Sequence, residues 1–289
     1  MSEVTARKYR IFQLAWRIVN VLLAVAIASS IYTGIREYSV RRYLDGFSDA
    51  IVPNNLPEEQ KIEAILDWMR AEPSRASTTD PDDLAKRDPQ TTLTYRQLLN
   101  VCGTATNAFL NLARSSDLRA RRLLLLAPDN NTKHVVAEVQ DGDRWIVVDP
   151  MYRVIMKDAA GRYLTRKELQ SPAVFAQAMS AIANYPREYN YDRIAHVRIE
   201  RLPYAGVTLR KVLDWVAPDW DEAIDWSLLL ERESFFYLVL SVASVLLFLV
   251  LRVVLAWFAD KRLRISRFHL REHAVRAGSA FVSTPEIKQ

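Results

Sequence analysis

One cysteine, Cys102, stands in a chain of 289 residues, so no internal disulfide can form. The sequence also lacks an internal repeat and a Gly-rich phosphate loop, which leaves solenoid and nucleotide-phosphate readings without support. No cluster of His, Cys and carboxylate residues has metal-ligand spacing, so neither a metal nor another cofactor is expected. The net charge is +5. Its basic tails carry no groove-reading motif, so nucleic acid is not the expected partner.

Half of the residues are apolar and a quarter charged, which fits one or two globular units plus membrane. Two runs are too apolar for a soluble surface. The first covers 18–35; the second, 235–258, holds a single charge, Arg252. Both approach or exceed the length needed to cross a hydrocarbon core of about 30 Å. Trp16 and Tyr32 flank the first run, and Phe235, Phe236, Tyr237 and Trp257 the second, as interfacial aromatics do. Ala26-Ile27-Ala28 resembles a signal-peptide cleavage site behind Arg7, Lys8, Arg10 and Arg17, but apolar character continues to Ile35, so a retained anchor is expected.

Basic residues gather before the first run and again after the second, at Lys261, Arg262, Arg264, Arg267, Arg271, Arg276 and Lys288. Both ends are therefore expected in the cytoplasm. The resulting organisation is a cytoplasmic basic tail at 1–17, a transmembrane helix at 18–35 and an extracytoplasmic domain at 36–233. A second transmembrane helix at 235–258 and a basic tail at 259–289 complete it. A two-pass protein of the bacterial inner membrane, with its domain in the periplasm, is the best fit. The tails suit anionic lipid headgroups, so the bilayer is one expected partner. Arg252 is a candidate contact to a membrane partner helix.

The chemistry concentrates in three stretches between the runs. They are Asn100-Val101-Cys102-Gly103-Thr104, Lys133-His134-Val135-Val136 and Trp145-Ile146-Val147-Val148-Asp149-Pro150. Cys102 precedes a run of good helix formers, His134 opens a run of strand character, and Asp149 closes the next. The thiolate, not the thiol, is the nucleophile, and a helix N-terminus and a neighbouring imidazolium both favour it. A carboxylate on the far side of the imidazole fixes its tautomer and orientation. Backbone N–H groups at the helix start lack intrahelical acceptors and can hold an oxyanion, and Gly103 leaves room for a substrate carbonyl. Gln97 is a candidate second oxyanion donor. Singly, a lone Cys is more often a small buried hydrophobe. The three residue types in this order and setting point to a Cys-His-Asp nucleophilic triad.

Local patterns place these residues. The spacing of Ile62, Ile65, Leu66 and Met69 predicts a helix over 58–70 with Pro57 at its start, and 72–90 reads as a loop. Thr94 is expected to cap a short helix carrying Gln97. Strands are expected at 121–126, 134–139 and 144–148, the last two joined by the hairpin signal Asp141-Gly142-Asp143. That pairing would bring His134 and Asp149 together at one end of the hairpin. Further on, a helix over 165–184 interrupted at Pro172 and a strand over 196–202 with a structural His196 are expected. Tyr185, Tyr189 and Tyr191 with Asn184 and Asn190 read as a packed aromatic patch or a carbohydrate or peptide site. An amphipathic helix over 212–230 is expected at the membrane surface.

These motifs resemble the transglutaminase-like cysteine enzyme superfamily, whose fold is papain-like. The pattern is Cys-Gly at a helix start, a helix ending in an Arg-bearing turn, a His on a strand, and Trp-x-x-x-Asp-Pro. Cys102-Gly103, Asp117-Leu118-Arg119-Ala120-Arg121, His134-Val135-Val136 and Trp145 to Pro150 match it across 94–150. The resemblance implies an α+β domain with an antiparallel sheet, here flanked by two transmembrane helices. It implies Cys102 as nucleophile, His134 as general base and acid, and Asp149 as orienting carboxylate. The sequence departs at Asn100 and Asp117, where Gly is usual, and at Val136, where an aromatic is frequent. Asp tolerates the left-handed backbone that the helix end requires better than most residues.

The expected function is a membrane-anchored thiol enzyme acting on amide or other acyl bonds through a thioester. Its expected substrate is a protein, peptide or surface polymer of the cell envelope. Water as second nucleophile would make it a peptidase or amidase, and an amine a transglutaminase or acyltransferase. The competing reading is a catalytically silent scaffold of the same fold in a membrane assembly.

Overall fold

The computed structural model describes residues 3–71, 88–198, 206–218, 220–223 and 226–263. Contacts divide the chain into two units, Met1–Ser30 with Ser241–Gln289, and Ile31–Leu240. The basic tail from 264 onward and most of the expected loop at 72–90 lie outside the described residues.

The first unit is built from parts of two helices, α1 (Glu3–Ile51) and α11 (Glu233–Phe258). Both are long and apolar enough to cross a membrane. Within it Val19, Leu23 and Ala26 are buried, while Val21, Val25, Leu246 and Val250 face outward. Such an outward apolar surface is the kind that a membrane-spanning helix presents to lipid. Arg252, the one charge of the second run, lies over the ring of Trp16 with its guanidinium 5.4 Å from the centroid. The first helix is much longer than the apolar run. It continues past Ile35 to Ile51, because Val40, Leu44 and Val52 bury their side chains in the core of the second unit.

That second unit is a five-stranded antiparallel sheet with helices on both faces. The strands are β1 (Ala120–Leu126), β2 (Thr132–Asp141), β3 (Arg144–Asp149), β4 (Val154–Ile155) and β5 (Ile194–Ala195), in the order β4-β3-β2-β1-β5. Covering both faces explains why Leu123, Leu124, Leu125 and Leu126 run without alternation. Ala137, Val139, Ile146 and Val148 face a core shared with α2 (Glu58–Arg70) and α5 (Cys102–Ser115). Leu123, Leu125, Val136 and Val147 face a second core with α6 (Arg166–Leu169) and α7 (Pro172–Ser180). The hairpin forms as expected: Asp141 pairs with Arg144 across Gly142-Asp143, and Gly142 takes a φ of 57° that favours glycine.

Several local expectations are corrected. Thr94 does not cap the helix carrying Gln97; it ends α3 (Pro89–Thr94), and Tyr95 occupies the N-cap of α4 (Arg96–Leu99). Asp88 accepts from the Thr91 N–H and Pro89 stands in the first turn, so a cap and an N-terminal Pro begin the earlier helix inside the expected loop. The helix over 165–184 is two helices. Pro172 starts the second one, and α7 ends at Ser180 rather than Asn184. In place of a strand over 196–202 there is the two-residue β5, and residues 199–202 lie outside the description.

The amphipathic helix over 212–230 is replaced by α8 (Gly206–Val216), α9 (Trp220–Ala223) and α10 (Trp226–Glu231), with Ala217 and Pro218 interrupting after α8. Pro cannot extend a helix through its missing N–H. Of the three, α10 packs on the domain: Ser227 accepts from the Arg122 N–H and Glu231 pairs with Arg122 at 2.5 Å.

A buried polar network ties α1 and the start of α11 to α5. Arg232 donates to Glu37 at 3.0 Å and to Asn111 at 3.1 Å, Ser234 donates to Glu37 at 2.7 Å, and Asn107 donates to Glu231 at 3.0 Å. Each buried charge is paired and hydrogen-bonded, which burial demands.

Candidate active site

Cys102 is the first residue of α5, and the helix begins without a side-chain cap, Val101 standing at the N-cap. Its first-turn N–H groups are therefore not taken by a capping side chain, which leaves the positive end of the helix directed at the thiol. The helix is held in place from both ends. Thr106 Oγ1 donates to the carbonyl of Val135 at 3.0 Å, which fixes the N-terminal part of α5 against the residue after His134. At the other end Leu118 N–H donates to Ala113 O at 2.9 Å and Asp117 to Arg114 at 3.2 Å, with Asp117 at φ 62°. This is a Schellman closure with Asp in the position usually given to Gly.

His134 and Asp149 are fully buried, and Nε2 of the imidazole lies 2.6 Å from Oδ2 of the carboxylate. The hairpin produces this contact, since β2 and β3 pair Ala137 with Val148 and so set the two side chains at one end of the ladder. Asp149 is saturated with donors. Oδ2 also accepts from the Tyr185 hydroxyl at 2.9 Å, and Oδ1 accepts from the N–H groups of Met151 and Tyr152 at 3.0 and 3.2 Å. An ionised carboxylate can take about four such bonds, so its orientation is completely specified.

The third member is close on the other side. Cys102 is half-buried against Leu124, Leu126, Val135 and Ala195, and its thiol couples to His134 by hydrogen bond and by charge. Nδ1 of His134 is buried and has no partner of ordinary hydrogen-bond geometry, so the sulfur contact is a loose one. Such contacts in resting sites tighten only when substrate arrives.

The electrostatics match a thiolate–imidazolium pair. Burial works against a charged His134, but the hydrogen bonds and charges of Asp149 and Cys102 outweigh it and raise its pKa to about 9. Burial likewise opposes the thiolate of Cys102. The hydrogen bond and charge of His134, with the backbone N–H groups of Val135 and Gly103, outweigh that and lower the thiol pKa. Cys102 is thus shifted towards its charged form mainly by His134, and His134 towards its own by Asp149 and Cys102.

Residues 45–150 match the family model of the transglutaminase-like superfamily. They form a transglutaminase-like domain. No curated protein and no solved structure matches the chain. Proteins of this superfamily are typically thiol enzymes. The transglutaminase-like match ends at Pro150, so it spans Cys102, His134 and Asp149 and stops before the tyrosines that surround them.

Tyr185, Tyr189 and Tyr191 form the packed aromatic patch read from the sequence, but their contacts to His134 and Asp149 are not legible there. Tyr185 is buried and bonds Asp149. Tyr189 lies flat on the imidazole of His134, centroids 4.1 Å apart and planes 2° apart, and Tyr152 meets the ring edge-on at 6.1 Å. A tyrosine 36 residues after Asp149 has no local pattern to announce such a bond; the clustering of aromatics was the only signal.

Gln97 stands half-buried on α4, and Asn100 N–H donates to its backbone carbonyl at 3.3 Å. Asn100, where Gly is usual, accepts from Arg153 at 2.8 Å, and Arg153 also donates to Met69 O at 3.0 Å. The departure at Asn100 thus links the loop before Cys102 to the turn after Asp149. His196 is held as a neutral ring, accepting from Arg166 at 3.0 Å and donating from Nδ1 to Arg122 O at 2.8 Å. Among the described residues no group of His, Cys, Asp and Glu could hold a metal ion.

A cleft of about 710 Å³ lies beside the residues that support Cys102. It is lined by Leu126 and Ala195, which pack against Cys102, and by Asp129, Asp192, Arg193 and Arg210.

Proposed function

We propose that this protein is a membrane-anchored thiol enzyme that cleaves or transfers acyl groups, with Cys102 as nucleophile, His134 as proton carrier and Asp149 as its orienting partner. The observation that carries the reading is the buried 2.6 Å His134–Asp149 contact whose imidazole also couples to the only thiol in the chain.

In the first half-reaction the Cys102 sulfur bonds to the substrate carbonyl carbon and the C=O π electrons move onto oxygen. The first-turn N–H groups of α5 stabilise that oxyanion, and Gln97 is a candidate second donor. Collapse breaks the bond to the leaving amine, which takes a proton from His134 and departs, leaving a thioester. In the second half-reaction His134 accepts a proton from water or an incoming amine, whose attack on the thioester releases Cys102. Water gives a peptidase or amidase, and an amine a transglutaminase or acyltransferase.

The two apolar helices support a membrane-spanning chain. The basic residues flanking them are the sequence feature behind placing both termini in the cytoplasm and the domain in the periplasm of a bacterial inner membrane. Helix α8, with Leu209, Val212, Trp215 and Val216 exposed, suits the lipid interface. An anchored domain suits an envelope polymer, peptide or protein as substrate.

Incubation with p-nitrophenyl acetate, a general acylating ester, tests the reading. Intact-mass analysis is expected to find an acetyl group on Cys102 in the wild type, discharged by hydroxylamine, and none in Cys102→Ala or His134→Ala. Acetylation at equal rates in wild type and His134→Ala would remove the enzyme reading and leave the scaffold.

A further inference from the structure

The base of this site is covered by a tyrosine from outside the family core. Tyr189 belongs to the segment between α7 and β5, beyond the matched residues 45–150. Its ring is parallel to the imidazole of His134 within 2° at 4.1 Å, the shortest separation between two rings among the described residues. The segment is tied down on both sides of it. Tyr185 donates to Asp149 at 2.9 Å, and Asn190 accepts from Lys133, the residue before His134, at 2.6 Å. The stack is therefore fixed to the same carboxylate and the same strand as the imidazole it covers.

We propose, resting on the thiol-enzyme reading, that Tyr189 is a positioning residue: its face holds the His134 ring in the plane that serves both Asp149 and Cys102, and favours the ring's protonated form.

Two physical arguments support this. The one firm hydrogen bond of the imidazole is at Nε2, and the loose contact of the ring with the Cys102 thiol does not stop it swinging about that bond. A flat ring packed on its face removes that freedom. A cation over an aromatic face is also attracted to the ring quadrupole, and more strongly where water is excluded. His134 is fully buried, so water does not screen the attraction. The groups that bear on the imidazole are Asp149 from β3, Cys102 from α5 and Tyr152, Tyr185 and Tyr189 around the ring. Glu188 and Lys133 lie further out, Glu188 acting on Tyr189, Tyr152 and Lys133. Of these only Asp149, Cys102 and Tyr189 contact His134 by hydrogen bond or by face.

The test is the ratio of iodoacetate to iodoacetamide alkylation rates at Cys102 across pH, in the full-length protein. The anionic reagent is drawn to an imidazolium and the neutral one is not, so the ratio falls where His134 loses its proton. In the wild type the fall is expected near pH 9. Tyr189→Phe keeps the stack and is expected to match it. Tyr189→Leu is expected to bring the fall down by about one pH unit, the shift that a desolvated cation–aromatic contact supports. Tyr189→Gln carries the same expectation should the Leu variant not fold.

A fall at the same pH in Tyr189→Leu or Tyr189→Gln as in the wild type overturns the proposal. A shift in Tyr189→Phe equal to that in Tyr189→Leu also overturns it, since the hydroxyl rather than the face would then be at work. A wild type whose alkylation shows an ordinary thiol and no pH-dependent ratio fails at the earlier step, and removes the thiol-enzyme reading with the proposal.

Discussion

Nε2 of His134 meets Oδ2 of Asp149 at 2.6 Å, with both side chains shut off from solvent and three other donors holding the carboxylate still. The sign of the consequence is fixed by burial. Without Asp149 the largest influence left on His134 is desolvation, which lowers its pKa. In Asp149→Asn the His134 titration is expected to drop well below 9, because the Asp149 charge and hydrogen bond that raise it are weakened. The share of imidazolium, and with it the thiolate, then falls. Imidazole NMR against pH checks this, and a titration still near 9 would contradict it.

Tyr185→Phe removes one of the bonds to Asp149 without changing the ring. The cost in stability is expected to be about 1 kcal/mol, the net worth of one hydrogen bond. Because the other three donors remain, acylation of Cys102 should fall by less than roughly tenfold, on the same figure. Thermal unfolding and ester turnover measure the two effects separately.

The Glu37–Arg232 pair joins α1 to the α10–α11 junction in a place with almost no solvent, at 3% and 4% exposure. Breaking a buried pair from one side leaves an uncompensated charge. Glu37→Ala is expected to destabilise the domain by about 3–5 kcal/mol, and the double variant Glu37→Leu with Arg232→Leu to recover much of it. Thermal unfolding of the detergent-solubilised protein is the measurement. Equal stability of Glu37→Ala and wild type would show the pair to be dispensable.

Asp117 sits at φ 62° where the α5 helix closes. A glycine there avoids the left-handed strain, so Asp117→Gly is expected to stabilise the domain by roughly 1 kcal/mol, and Asp117→Val to destabilise it. A lower melting temperature in the Gly variant would contradict this account of the helix end.

The legible parts of this fold were those written in local chemistry. The 58–70 helix, the hairpin at Gly142 and the left-handed Asp117 each depend on a few adjacent residues, and each appears as read. So does the meeting of His134 with Asp149, because a two-residue turn fixes the register of everything beyond it. The extension of α1 to Ile51 was not legible, since it depends on Val40 and Leu44 finding the core of a distant sheet. Nor was the division of 212–230, where the pull of Ser227 and Glu231 towards Arg122 competes with amphipathic spacing. The tyrosines were visible as a cluster, but their targets lie 36 and 55 residues away in Asp149 and His134.

The most direct measurement is the rate of iodoacetamide labelling of Cys102 against pH, in wild type and in His134→Ala. A single cysteine leaves no ambiguity about the site. The wild type is predicted to label with an apparent pKa below the free-thiol value of about 8.5, because His134 and the N–H groups of Val135 and Gly103 outweigh burial. In His134→Ala burial is left as the largest influence, so the apparent pKa should rise to that value or above it. An ordinary or raised pKa in the wild type, unchanged by His134→Ala, would contradict the account and leave the domain as a scaffold.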